Sequence, residues 1–323
     1  MDFPVVLSIG EVLIDFISEE VGAINKVKGF QKCPGGAPAN FAVGLARLGV
    51  EVAFVGKVGD DPFGEYLLDV LKKEKVNTEN VIKAQKNERT ALAFVSLDED
   101  AERDFVFYRK NAADLQFTEK ELKLDYLANA KYIHFGTVSL TEEPSRTATI
   151  AAIEKCREAG GKSCFDPNLR LDLWENLETF REIIDKVLKK TDILYPSLDE
   201  LKFILQREDI EEQEAIDLII EKYPIDIVAL KRGKEGCLIK KREDFFLTIP
   251  AFDVDVLDTT GAGDGFNVGF IFGLIEEKSL EEAGIMGNAV GALVIQKKGA
   301  MTSLPSREEL QEFLKNQKVE IGI

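Results

Sequence analysis

Short apolar, strand-like runs alternate with helical patterns along most of this chain, and that alternation is the strongest constraint on its fold. VVLSIG, EVAFVGKVG, KYIHFG, KSCFD, ILYPS and DIVALK read as strands, while 40-NFAVGLARLG-49 and 145-SRTATIAAIEKCREAG-160 carry helical periodicity. Near-continuous apolar strands separated by helices predict βα units around a mostly parallel sheet covered on both faces. Two stretches break the rhythm. Residues 11–32 and 89–110 hold VLIDFI, TALAFVSL and RDFVFY, with no helix between the latter two. They predict a small antiparallel β-sheet that forms a lid on the α/β body. No internal repeat, low-complexity segment or Pro/Ser-rich linker divides the 323 residues, so residues 1–323 are expected to form one domain.

The charge balance narrows the ligands. A net charge of −17, without basic stripes, argues against a nucleic-acid partner. An anionic ligand must then be held locally, by backbone amides, a few arginines and a metal ion. No apolar run is long enough to span a bilayer and no charged-then-apolar signal opens the chain. The expectation is a soluble, unprocessed protein with no membrane partner. Cys33, Cys156, Cys164 and Cys237 lack CxxC spacing, which fits a reducing cytoplasm. The single histidine, His134, lies in KYIHFG, where packing is the expected role; a histidine-based triad or zinc site is disfavoured.

Glycine-rich turns are where chemistry concentrates. In 258-DTTGAGDGF-266 the glycines let the chain turn tightly into an apolar helix. Successive N–H groups and the helix dipole there form an anion site. Asp264 falls in the first turn, where beside a bound phosphoryl group it could accept a proton from an attacking hydroxyl. The same stretch also reads as an ordinary N-terminal cap, with Gly265, Gly269 and Gly273 spaced for close helix packing. A second turn, 33-CPGGAPANFAVGLARLG-49, projects Asn40 from the start of a helix, and a third, 231-KRGKEGC-237, follows DIVAL. Neither the P-loop nor the dinucleotide fingerprint occurs.

With these turns in place the sequence resembles the ribokinase-like (PfkB) carbohydrate kinases. One signature matches from Gly35 through Asn40 to Gly49 and Gly59, and the other matches DTTGAGD at 258–264. Between and after them 166-DPNLR-170, 196-PSLDE-200 and 288-NAVGALVIQKKGAMTSLP-305 follow in the family's order. GGAPANFAVGLARLG, FVFYRKNAAD, DPNLRLDLW and KKGAMTSLP look most like fructokinases. The resemblance implies a three-layer α/β/α fold with a β-sheet lid, ATP as donor and a sugar hydroxyl as acceptor. It makes Asp264 the base and the amides of Gly261, Ala262 and Gly263 the hole for phosphoryl oxygens.

The resemblance also distributes roles. Asp15 would bind paired sugar hydroxyls, Gly36 would admit the sugar close to the backbone, and Asn40 would bind a further hydroxyl. Phe107 and Arg109, two apart on a strand, would face the substrate together, with Arg109 on the sugar or the γ-phosphate. Arg170, just after a strand, belongs to the transfer site. Ser197 stands where the family often has Asn, and Glu200 would hold Mg²⁺ through water. Lys231, Gly233 and Gly236 match the nucleotide loop, although Thr is common at the position of Lys231; Asn288 matches the adenine-side helix. Asp258, Thr260, Gly299 and Ser303 match a monovalent-cation site, for K⁺, or else Asp258 and Thr260 simply form a turn.

A fructokinase making fructose 6-phosphate is the leading expectation. A 2-keto-3-deoxygluconate kinase, with Arg109 on the acid, and an aminoimidazole riboside or other nucleoside kinase are alternatives. A non-catalytic sugar-binding regulator on the same fold is a further one. Exposed lid edges would allow a homodimer through the lid.

Overall fold

The computed structural model describes residues 4–85, 87–97 and 103–322. Its strands are β1 (Val6–Ile9), β2 (Leu13–Ser18), β3 (Phe30–Gly35), β4 (Val52–Val58), β5 (Asn77–Lys83), β6 (Leu92–Leu97), β7 (Arg103–Tyr108), β8 (Tyr132–Gly136), β9 (Lys162–Asp166), β10 (Ile193–Leu194), β11 (Ile227–Lys231), β12 (Cys237–Lys241) and β13 (Leu247–Ile249). The helices are α1 (Ala37–Arg47), α2 (Pro62–Lys73), α3 (Leu124–Asn129), α4 (Ser145–Glu158), α5 (Leu177–Leu188), α6 (Leu198–Leu205), α7 (Glu212–Lys222), α8 (Ala262–Ile275), α9 (Leu280–Ile295), α10 (Ala300–Ser303) and α11 (Arg307–Asn316).

Nine strands form the main sheet in the order β13-β12-β11-β10-β9-β8-β1-β4-β5. Pairing is parallel from β11 to β5 and antiparallel only at the β11–β12 and β12–β13 edge. Both faces are covered, as strands apolar on both sides require. On one face Phe41, Phe270, Phe272 and Met286 pack against Phe54 and Tyr195; on the other Ile153, Ile184 and Ile219 pack against Phe135 and Phe165. The result is the expected α/β/α arrangement.

Local chemistry fixes where the helices begin. Asp61 caps α2 by accepting from the amides of Phe63 and Gly64 at 3.0 and 2.9 Å, with Pro62 in the first position. Ser197, Ser279 and Ser306 open α6, α9 and α11 in reciprocal capping boxes with Glu200, Glu282 and Glu309. Along α8 the ridge of Gly265, Gly269 and Gly273 lies directly on α9. A Cβ at Gly269 would come within 2.2 Å of Met286 O, and one at Gly273 within 2.7 Å of Ala283 Cα. Those glycines therefore set the close α8–α9 contact that holds the start of α8 in place.

The lid is a second sheet in the order β3-β2-β6-β7. Its outer pairs, β2–β3 and β6–β7, are antiparallel, and β2 runs parallel to β6 at the centre. Register places Cys33, Asp15, Ala93 and Phe107 on one rung. On the rungs beside it, Phe16 stacks on Phe94 at 5.0 Å and Phe94 meets Tyr108 edge-on at 5.5 Å, with Tyr108 exposed. His134 is buried in the main sheet, stacked on Phe41 at 3.8 Å, and burial pushes its pKa down to about 3. It is a neutral packing residue, as KYIHFG implies.

Candidate active site

The site forms at the carboxyl ends of the parallel strands, where α8 begins. Gly261 caps α8 in the left-handed region, at φ +79°, and a Cβ there would lie 2.8 Å from Ala300 Cα. Only glycine fits the turn without displacing α10. Gly261, Ala262 and Gly263 then line a cavity at the positive end of the helix. The Ala262 amide makes a long 3.3 Å bond to Thr259 O, which a ligand oxygen could replace. Asp264, in the first turn, lines the same cavity and accepts a 2.8 Å hydrogen bond from Asn40 Nδ2 on α1. Burial raises its pKa to about 7; Asn40 opposes this, Asp166 adds to it, and Lys231 and Arg170 oppose it. A carboxylate poised near neutrality, beside amides that favour anions, can take a proton while a phosphoryl group is held in place.

The lid closes over this cavity, which measures about 320 Å³. Asp15 enters from β2. Opposite it, a Cβ at Gly35 would lie 1.9 Å from Asp15 Oδ2, so β3 approaches as only glycine permits. Gly36, at φ +102°, is equally constrained: a Cβ would be 2.5 Å from Glu11 O. Burial, with the nearby charge of Asp264, pushes Asp15 up to about 7 against the pull of Arg170. Phe105 and Phe107 form the lid side of the cavity. Arg170 bridges lid and body, its guanidinium 5.5 Å from the Phe105 ring centre and its Nη1 donating to Leu169 O at 2.9 Å.

Arg109 departs from the sequence expectation. It follows the last residue of β7, is 5% exposed, and is not among the residues lining either cavity. Its Nε donates to Asp114 Oδ2 at 2.7 Å, and its Nη1 donates to Val138 O and Thr141 Oγ1. The strict alternation that would have put it beside Phe107 ends with the strand, and the carboxylate five residues on captures it. Arg109 anchors the lid's base.

A second cavity, about 510 Å³, meets the first at Lys231, Thr259, Ala262 and Gly263. Phe252, Val256, Phe266 and Ile295 give it apolar walls, and Gly233, Gly236 and Asn288 also line it. Gly236, at φ +88°, brings its chain so near β13 that a Cβ would lie 2.1 Å from Ile249 O. Asn288 builds the wall, donating from Nδ2 to Ile249 O at 3.1 Å and Pro250 O at 2.9 Å. Ser197 and Glu200 line the first cavity at the start of α6. The Glu200 carboxylate accepts from the amides of Leu169 and Ser197 at 3.1 and 2.8 Å; burial raises its pKa and Lys231 opposes this.

Several lining residues escaped the sequence reading, among them Asp166, Glu11 and Phe105. Asp166 ends β9, 2% exposed, and its oxygens accept from Lys231 Nζ at 2.8 Å and Asn267 Nδ2 at 2.7 Å. Glu11, just past β1, lines the first cavity and is driven up to about 7 by burial, with Arg109 opposing. Phe105 lies two residues before Phe107 on the same strand face. The signal for the two acids was a carboxylate closing an otherwise apolar strand, in KSCFD and in SIGE.

Asp258 holds the loop before α8. Its Oδ1 accepts from the Thr260 amide at 2.9 Å and from Thr260 Oγ1 at 2.5 Å, and its Oδ2 accepts from the Gly299 amide at 2.9 Å. Ser303 Oγ donates to Ala300 O at 2.8 Å. The four residues matched to a cation site are thus brought together by two hydrogen-bonded segments.

Two cavities that meet at an amide turn beside a carboxylate leave room for one small molecule on each side of that turn, the arrangement a kinase of small molecules needs. The description "pfkB family carbohydrate kinase" matches residues 5–307, and the chain belongs to that family. A probable fructokinase-2 from Arabidopsis thaliana is 42% identical over 321 residues, 97% of this chain and 96% of the relative. A doubly substituted fructokinase from Vibrio cholerae, solved with fructose, ADP and potassium ion bound, superposes with a TM-score of 0.85 at 30% identity, covering 97% of this chain and 100% of that one. An aminoimidazole riboside kinase from Salmonella enterica, complexed with aminoimidazole riboside and an ATP analogue, gives 0.82 at 31% identity over 96% and 99%.

Proposed function

We propose that the protein is an ATP-dependent fructokinase, converting fructose and ATP to fructose 6-phosphate and ADP. The observation that carries the choice of a neutral sugar is the charge of the first cavity. Among the described residues Glu11, Asp15, Asp166, Glu200 and Asp264 line it against only Arg170 and Lys231, and Lys231 is already paired with Asp166. A substrate carboxylate would add a further anion beside carboxyl groups that burial already drives toward the neutral form, whereas hydroxyls find acceptors on several sides. Arg109, which an acid substrate would need, is committed to Asp114.

In this reading Asp15 and Asn40 orient the sugar hydroxyls, with Gly36 giving the ring room against the backbone. The reacting hydroxyl attacks the terminal phosphorus, the bond from phosphorus to the bridging oxygen of ADP breaks, and the hydroxyl proton passes to Asp264. The amides of the 261–263 turn and Arg170 balance charge on the transferring oxygens. ATP would be held in the second cavity, with the apolar walls near Asn288 taking its base and the 261–263 turn its phosphates.

Magnesium would be held through water from the Glu200 side. Among the described residues no group of three or more His, Cys, Asp or Glu side chains could cage a metal, and the Glu200 oxygens already accept two amides. That donor set suits an ion that keeps its waters and binds the protein through one or two carboxylates. Bound there, it would neutralise phosphate charge. Potassium would be held beside Asp258, Thr260, Gly299 and Ser303, whose side chains hold the loop, with backbone carbonyls of that loop as its ligands. A homodimer through the lid is part of the proposal, because Val106 and Tyr108 leave apolar surface exposed on the lid strand β7; light scattering would return twice the chain mass, and a monomer would reject it. The kinase is tested by kcat/KM for fructose, 2-keto-3-deoxygluconate and aminoimidazole riboside under one ATP concentration. Fructose should lead, and a lead for either rival would overturn the assignment.

A further inference from the structure

Lys231 occupies the junction of the two cavities. It ends β11, lines both spaces, and its Nζ lies 3.5 Å from where a Cβ on Gly263 would sit. Its only ion-pair partner among the described residues is Asp166, at 2.8 Å. The two partners are unequally placed: the Lys231 side chain is 18% exposed and that of Asp166 only 3%. Asn267 holds the other Asp166 oxygen at 2.7 Å, so the carboxylate is fixed and the ammonium is the movable member. Lys234, also on the second cavity, does not line the first.

We propose that Lys231 binds the terminal phosphate of the nucleotide, its ammonium exchanging Asp166 for that phosphate when the nucleotide enters. The inference rests on the kinase reading above and assigns Lys231 a specific part in it. A terminal phosphate seated at the amide turn must lie where the cavities meet, within reach of a side chain that already touches both. No covalent bond changes at Lys231; one ion pair is traded for another. A lysine ammonium is a compact point charge with a flexible stem, suited to following a phosphate as it passes from donor to acceptor. Burial disfavours its charge, but Asp166, Glu200 and Asp264 outweigh that and raise its pKa, so it stays cationic.

The experiment is equilibrium calorimetry with a non-hydrolysable ATP analogue and with ADP, each with magnesium, on wild type, Lys231→Met, Lys231→Arg and the double variant Lys231→Met with Asp166→Asn. Lys231→Met should weaken the analogue by about tenfold or more and ADP by less than about threefold. Lys231→Arg should retain most analogue binding. The double variant removes the buried pair whole, so it folds even where Lys231→Met leaves Asp166 uncompensated, and it should show the same selective loss. Equal loss for analogue and ADP, no loss, or recovery of analogue binding in the double variant would reduce Lys231 to a counter-ion of Asp166. Wild type binding neither nucleotide would instead overturn the kinase reading together with this one.

Discussion

Replacing Asp264 by Asn keeps the shape of the side chain and its contact with Asn40, and removes the proton acceptor. The carboxylate's pKa rises from 3.8 to about 7, which at about 1.36 kcal/mol per unit is roughly 4 kcal/mol of ionisation cost. Water in the open cavity screens part of this, leaving on the order of 1–2 kcal/mol. Because the raised value penalises the ionised folded state, the neutral amide should be more stable at pH 8, with a thermal midpoint about 2 °C higher. Turnover should move the other way, falling by about 10²–10⁴-fold as for loss of a positioned base. The assay couples ADP release with fructose to a thermal melt of the same preparation. A variant that is stabilised and nearly inactive separates chemistry from folding. Turnover within a few-fold of wild type would refute Asp264 as the base.

The pH dependence follows from the same group. Since Asp264 must be ionised to accept a proton, kcat/KM for fructose should fall about tenfold per pH unit below about 7 and level above it; a flat profile from pH 5.5 to 8 would contradict the assignment. Folding stability has the opposite sign: Glu11, Asp15 and Asp264 bind protons more tightly when folded, so their contribution is present at low pH and lost as pH rises toward about 7. Urea titrations at pH 5 and pH 8 would measure it. Arg109→Ala leaves Asp114 buried without its cation, so it should cost about 3–5 kcal/mol of stability and leave the ratio of fructose to sugar-acid kcat/KM unchanged. A wild-type preference for the acid, erased by the substitution, would restore Arg109 to the substrate. Potassium should raise activity over an equal concentration of tetramethylammonium at constant ionic strength, and equal rates would leave Asp258 and Thr260 as a turn alone.

The sequence makes the central strands and the start of α8 legible because each has a local cause. KYIHFG, KSCFD and DIVALK are apolar on both faces, as strands in the middle of a parallel sheet must be, and Gly261 marks a backbone turn that no side chain tolerates. The antiparallel edge, β12 and β13, is harder to see because alternating polar residues such as Lys240 and Thr248 resemble a surface loop. The site divides in the same way. Asp264, Asn40 and Asp15 sit in motifs whose spacing is a property of the chain. Asp166 and Lys231 lie 65 residues apart and pair because β9 and β11 end at one edge of the site. Arg109 fails for the reverse reason: strand alternation predicts a direction only while the strand lasts, and β7 stops one residue earlier.

The central claim is that a neutral ketohexose receives the terminal phosphate of ATP at its 6-hydroxyl. Phosphorus NMR of the purified protein with fructose, ATP, magnesium and potassium tests it in one spectrum. The account predicts fructose 6-phosphate and ADP growing in equal amounts as ATP declines. Fructose left unphosphorylated while a sugar acid or a riboside takes the phosphate, or a phosphate carried on a different fructose hydroxyl, would contradict it.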